Sequence, residues 1–320
     1  MPSRTNLGRR LRHDALGVAL AGLLSTGLAT DAAADPPQTC PAWQNGGELT
    51  GHIANEKVVE SSGLAASRRH DNLFWNHNDS GDDPLLYLHD AKGKDRGTLR
   101  LKGADSEDWE DIAIGPCEEG TDEACVYVGD FGDNDAERDS VTLYKFPEPD
   151  PPEDPAETEA ITDWERIDYV YEQGPRNAET LLVHPTSAKI YVVEKAGADH
   201  SAVYRVPNRP TEDEEKRRAN KIAEMKTSSG LGRLVTGGDI APDGRELSVR
   251  TYVKVYTYCL PEDAPFEEIF EVEPVVSHPR FTLQSEALAY GPDGEVLWFT
   301  SEGKSAPLIR MKRLRPDPTE

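Results

Sequence analysis

Apolar residues along this chain come in short clusters separated by turns rich in Gly, Pro, Asn and Asp. Leu73-Phe74-Trp75, Val126-Tyr127-Val128, Ile190-Tyr191-Val192, Leu247-Ser248-Val249 and Leu297-Trp298-Phe299 are too short for helices. No stretch sustains a 3.6-residue apolar period, so the pattern predicts strands. Each cluster follows a shared short motif: Ser62-Gly63-Leu64-Ala65, Glu110-Asp111-Ile112-Ala113, Glu179-Thr180-Leu181-Leu182, Gly238-Asp239-Ile240-Ala241 and Glu286-Ala287-Leu288-Ala289. The motif starts lie 48, 69, 59 and 48 residues apart.

A third strand is expected in every unit, at Leu85–Leu88, Val141–Tyr144, Ala202–Arg205, Lys254–Thr257 and Leu308–Met311. A fourth can be read in the first four units, for example at Gly97–Leu101 and Ile167–Tyr171. Four-stranded units repeating every 40–50 residues or so are the signature of propeller blades. The expected fold is therefore all-β, a β-propeller of five four-stranded blades. A sixth, irregular blade between Glu110 and Glu179 is the alternative count. The last unit lacks a fourth strand, and the unassigned segment Glu48–Ile53 would close the ring beside Leu308–Met311. Two Pro- and acid-rich insertions, Pro147–Glu159 and Arg209–Arg218, account for the long spacings. They are read as loops, the second with a short surface helix.

The first thirty-four residues have a different character. Four arginines (Arg4, Arg9, Arg10, Arg12) precede an apolar run, Ala15–Thr30, and then Ala32-Ala33-Ala34. That order is a signal peptide with an A-x-A cleavage site, residues 1–34, leaving one domain over 35–320. The run is too short and too rich in Gly, Ser and Thr to span a bilayer, which takes about 20 apolar residues. Arg9-Arg10 raises the twin-arginine export route, although Arg12-His13 is too polar for a good match. A secreted protein with no membrane span after cleavage is expected.

Composition agrees with export. The formal charge is −24, and removing the leader's four basic and two acidic residues takes it to −26. Such a surface repels nucleic acid and anionic lipid. It suits cations or simple solubility, and a monomer is expected. The four cysteines are an even number with no C-x-x-C spacing, which favours disulfides over metal. Cys117 and Cys125 flank a short acidic loop, which leaves Cys40 to pair with Cys259.

In a propeller the first strand of each blade lines the central channel. The repeat then brings Ser62, Glu110, Glu179, Gly238 and Glu286 to one level of that channel. Three carboxylates so close repel unless a cation sits among them. Calcium, which takes six to eight oxygens, suits the set. The alternative is that these glutamates hold channel water or cap blade turns.

The strings Trp109-Glu110-Asp111-Ile112-Ala113, Val126-Tyr127-Val128-Gly129, Ala178-Glu179 and Ser285-Glu286, with Ser62-Gly63-Leu64-Ala65, resemble the blade pattern of the calcium-activated nucleotidases, the five-bladed apyrases. The resemblance covers some ten residues in each repeat. It implies a channel calcium held by one residue per blade, mostly glutamate and serine. Asn76–Gly81 and Gly129–Asn134 are also similar to secreted bacterial propellers labelled phytase-like or esterase-like. The chain departs from the nucleotidases at His77-Asn78-Asp79-Ser80-Gly81, where they carry Asp-Asp-Arg-Thr-Gly, and it lacks their basic cluster over the channel mouth.

The ends of the second strands supply candidate chemistry at one mouth. His77 with Asp79 or Asp130 could form an acid–base pair near neutral pH. Lys195, Arg250 and Arg138 could hold an anion. Glu194 is a further candidate base, and Asn78, Asp133 and Glu302 complete the rim. A second calcium in the turns at Asn78–Gly81 or Gly132–Asp135 is a further candidate. No nucleophile elbow, zinc-protease helix or phosphate loop occurs. Two functions follow: a calcium-dependent extracellular hydrolase of phosphate esters, anhydrides or related esters, or a non-catalytic propeller with structural calcium that binds an envelope component or a protein.

Overall fold

The inner strands are buried almost throughout, polar residues included, because a sheet lies against them on either side. The computed structural model describes residues 40–195, 200–208, 216–227 and 230–314. Strand β1 (Glu48–His52) comes first. A group of four follows: β2 (Ser61–Ala66), β3 (Leu73–Asn78), β4 (Leu85–Asp90) and β5 (Asp95–Leu101). Next come β6 (Trp109–Pro116), β7 (Ala124–Asp130), β8 (Val141–Pro147), β9 (Thr158–Ile161) and β10 (Glu165–Tyr171). The third group is β11 (Ala178–Val183), β12 (Ile190–Glu194), β13 (His200–Val206) and β14 (Arg217–Lys226). The fourth is β15 (Val235–Ile240), β16 (Glu246–Thr251), β17 (Val255–Cys259) and β18 (Val275–Ser277), and the chain ends on β19 (Leu288–Tyr290), β20 (Val296–Phe299) and β21 (Pro307–Lys312).

Apart from β9, successive strands within each group pair antiparallel, as short turns allow. The innermost strands touch in order, β2 to β6, β6 to β11, β11 to β15 and β15 to β19, and β19 meets β2 again. Separate apolar layers fill the gaps between neighbouring groups. Trp75, Leu86 and Leu88 meet Val126 and Tyr144, whereas Leu64 and Phe74 meet Ala289, Trp298 and Leu308. This is a β-propeller. Strand β1 lies antiparallel along β21, with Glu48 opposite Arg310 and His52 opposite Pro307. No helix among the described residues is long and apolar enough to cross a membrane.

The insertion after β8 departs from the expected loop. Its β9 crosses back to pair in parallel with β5, Thr98 opposite Thr158, and so widens the first group's sheet. Glu148, buried at its root, accepts the indole N–H of Trp75 at 2.9 Å. Strand β10 then returns to β8 and also runs parallel to β14 of the next group. Among the described residues no sixth group forms between Glu110 and Glu179. The expected helix in Arg209–Arg218 falls largely outside the described residues, and Arg217 and Arg218 lie in β14. The signal peptide lies wholly outside them. Both disulfides are present: Cys117–Cys125 closes the β6–β7 loop, and Cys40–Cys259 ties the segment before β1 to β17.

Candidate functional site

The glutamate motif has a local structural cause. Between Trp109 and Asp111 the pairing of β6 with β7 slips by one residue, leaving Glu110 as the extra residue of a β-bulge. The same slip recurs around Ser62 in β2 and Glu179 in β11. In β15 it falls between Val235 and Gly237, so Thr236 takes this position and Gly238 does not. Gly238 instead pairs regularly with Val249, two residues deeper, and its N–H helps hold the Asp111 carboxylate. The motif register and the bulge register differ by two residues in this one group, which removes Gly238 from the expected ring. Thr236 and Ser62 act alike: Ser62 Oγ donates to the Glu110 carbonyl at 2.5 Å, and Thr236 Oγ1 to the Ser285 carbonyl at 2.9 Å.

Antiparallel pairing sets these bulges beside the ends of the second strands, so residues that follow β3, β12 and β20 join them. Two groups of carboxylates result. Asp79, Asp108 and Glu110 can bring one oxygen each within 4.8 Å of one another, and so can Asp79, Glu286 and Glu302. Asp79 belongs to both. Glu110, Glu179 and Glu286 are buried, whereas Asp79, Asp108 and Glu302 are partly open to solvent. Lys195 bonds to the Glu179 carboxylate and lies 5.4 Å over the ring of Tyr252. Gly132 makes the first group possible, since a Cβ there would stand 2.2 Å from Glu110 Oε1 and 2.4 Å from Asp108 Oδ2.

Burial and neighbouring charges leave Asp108, Glu110, Glu179, Glu286 and Glu302 reluctant to ionise. Burial, then the charges of Glu179 and Asp79, hold Glu110 well above the ordinary carboxylate range. Burial and the Asp79 charge push Asp108 to about 6. Glu286 is raised by burial and by Glu302, with which it shares a hydrogen bond that requires a proton. Its Oε2 is buried without a hydrogen-bond partner. Lys195 counters the cluster, lowering Glu179, Glu110, Glu286 and Glu302 alike.

Other expected residues lie elsewhere. His77 is fully buried under the mouth, its Nδ1 2.8 Å from the Asn78 carbonyl oxygen and its ring edge-on to Trp109. Burial lowers its proton affinity. Asp130 is committed to its own loop, accepting the Glu107 and Asp108 N–H groups and pairing with Arg138 at 3.0 Å. Asp133 likewise accepts from Glu137 and Arg138 backbone. Arg250 is buried beneath the mouth, donating to the Ala287 and Thr300 carbonyls and lying 4.9 Å from the Phe299 ring. Glu194, half-buried, faces the charges of Arg176 and Lys221. Sequence reasoning missed Asp108, although its place two residues before Glu110 was the available signal, since i and i+2 share one side of an extended chain.

No family model and no curated protein matches this chain. Solved structures that resemble it include the following three. One is a gluconolactonase of Xanthomonas campestris, at 11% identity and TM-score 0.43 over 88% of this chain and 98% of that one. The second is the RRP9 WD40 repeats, at 12% and 0.39 over 79% and 67%. The third is the Dos1 propeller, at 11% and 0.37 over 81% and 60%. At such identities nothing about chemistry passes from them to this chain.

Proposed function

We propose that this protein is a secreted five-bladed propeller, closed by β1, that holds a divalent cation, calcium, at the channel mouth and hydrolyses an ester there. The carrying observation is Glu286 Oε2, buried without a partner in a group that Asp79 links to Asp108 and Glu110. An all-carboxylate donor set matches hard cations that prefer oxygen. Such an ion would turn the mutual repulsion of these carboxylates into shared attraction.

Three carboxylates fill three of calcium's six to eight positions. Asp79 and Glu302 are partly open to solvent, so an ion held by them would be accessible to a substrate oxygen. When bound, the ion would polarise an ester or phosphoryl oxygen as a Lewis acid. Lys195, held between Glu179 and Tyr252, would stabilise charge developing on that oxygen. The alternative, a non-catalytic binding propeller with structural calcium, is favoured by the burial of His77 and Arg250, which removes both from solvent.

Hydrolysis of 4-nitrophenyl phosphate and 4-nitrophenyl acetate, measured with calcium and with chelator, separates the readings. Calcium-dependent turnover lost in Asp79→Asn supports the hydrolase. A calcium-stabilised protein without turnover on a broad ester panel supports the binding propeller.

A further inference from the structure

Phe281 and Leu283 are 69% and 76% exposed, the most exposed large apolar residues among those described. Both lie on the segment that crosses from β18 to Glu286. Its outer end is held by the bridge between Pro279 and Gly46. Its inner end is held at the mouth itself: the Gln284 carbonyl accepts the Glu302 N–H at 3.1 Å, and the Ser285 carbonyl accepts Thr236 Oγ1. Gln284 adopts φ 46°, a left-handed backbone rare outside glycine and maintained only where surrounding bonds impose it. Leu283 lies three positions before Glu286, a chain span of at most about 11 Å. Two apolar side chains are thus presented to water on a segment pinned at both ends, which leads directly into Glu286 of the carboxylate groups.

We propose that Phe281 and Leu283 form a shelf for the tail of an amphiphilic oxyanion, whose head sits on the mouth cation and Lys195. The proposal rests on the cation reading above. Lys195 is the basic group whose charge reaches Glu110, Glu179, Glu286 and Glu302, and its side chain keeps 17% of its surface exposed. A cation beside it makes the mouth attractive to a carboxylate or phosphate, while the shelf asks for an alkyl or aryl group within reach of that head. A second copy of the chain is a poor occupant, because two surfaces of formal charge −24 repel.

Calorimetric titration of the mature protein with octanoate and with acetate, in calcium and in chelator, tests this. With calcium, octanoate should bind at least about tenfold more tightly than acetate, the yield of burying two methylenes. In the double variant Phe281→Ser/Leu283→Ser that ratio should fall within about twofold, while the calcium-induced rise in melting temperature is retained. Equal affinities in the calcium-responsive wild type, or discrimination that survives the double variant, overturns the shelf. A wild type whose melting temperature ignores calcium overturns the cation reading, and the head-group half of this proposal with it. A dimer in sedimentation that the double variant dissolves overturns the small-molecule occupant in favour of a second copy.

Discussion

The carboxylate of Asp239 accepts the backbone N–H of Tyr290 at 2.9 Å, joining β15 to a strand of the next group 51 residues later. Its other oxygen accepts the neighbouring Ile240 N–H at 2.8 Å. Asp111 repeats the arrangement from β6, taking Ile112 N–H and, across the gap to β11, Leu181 N–H, each at 2.8 Å. The aspartates of the two motifs that contain Asp-Ile-Ala are thus clasps between groups. Removing one leaves buried N–H groups unsatisfied, so Asp239→Ala should cost about 1–3 kcal/mol in urea unfolding at pH 5.

Asp239 also makes stability depend on pH. Burial raises it to about 6, against about 3.9 in an unfolded chain. Between those values the folded protein binds the extra proton, so this contribution is full at low pH and declines as pH rises from about 4 to 6. The decline is on the order of 3 kcal/mol. Asp239→Asn cannot titrate. In chelator, the stability of wild type minus that of Asp239→Asn should therefore fall across this range, and a constant difference would contradict the raised proton affinity of this part-buried carboxyl group.

Calcium should raise the melting temperature and chelator lower it, by the equivalent of about 2.7 kcal/mol at a hundredfold excess over Kd. Glu286→Gln and Glu110→Gln should blunt that response. Magnesium should substitute poorly, because it demands a tighter octahedral shell. Thermal scans with each metal read all three outcomes.

Gly132→Ala offers a route to the same site without touching a ligand. The added Cβ would meet the tips of the Glu110 and Asp108 side chains rather than backbone. Those carboxylates must move, so the calcium response should fall sharply while the circular dichroism spectrum stays that of the wild type.

Closure can be tested through its two fastenings. Loss of Cys40–Cys259 opens a loop of 219 residues, and loss of Cys117–Cys125 one of 8. Chain entropy alone gives about 5 and about 2.5 kcal/mol, so Cys40→Ser should lower the melting temperature more than Cys117→Ser. Deleting residues 35–55 also removes β1 and leaves β21 paired on one side only, with β20, so cooperative unfolding should be lost. An unchanged transition would show that β1 is dispensable.

Much of this protein is legible along the chain. Strand positions follow from local apolar clusters and turn residues, and the repeat that places Glu110 and Glu179 at strand starts and Glu286 just before one is itself a sequence pattern. The disulfide pairs follow from four cysteines and the loop between two of them. What the chain could not show depends on register and on burial across distant segments. A bulge moved by two residues puts Thr236 where the motif suggested Gly238. Asp79 and Glu302, more than two hundred residues apart, meet only because the first and last groups are neighbours in the ring. His77 and Arg250 read as reactive groups, yet the sheets enclose them. Side-chain chemistry is local and can be read from residue types, whereas solvent access and partner choice are set by packing, which no single segment encodes.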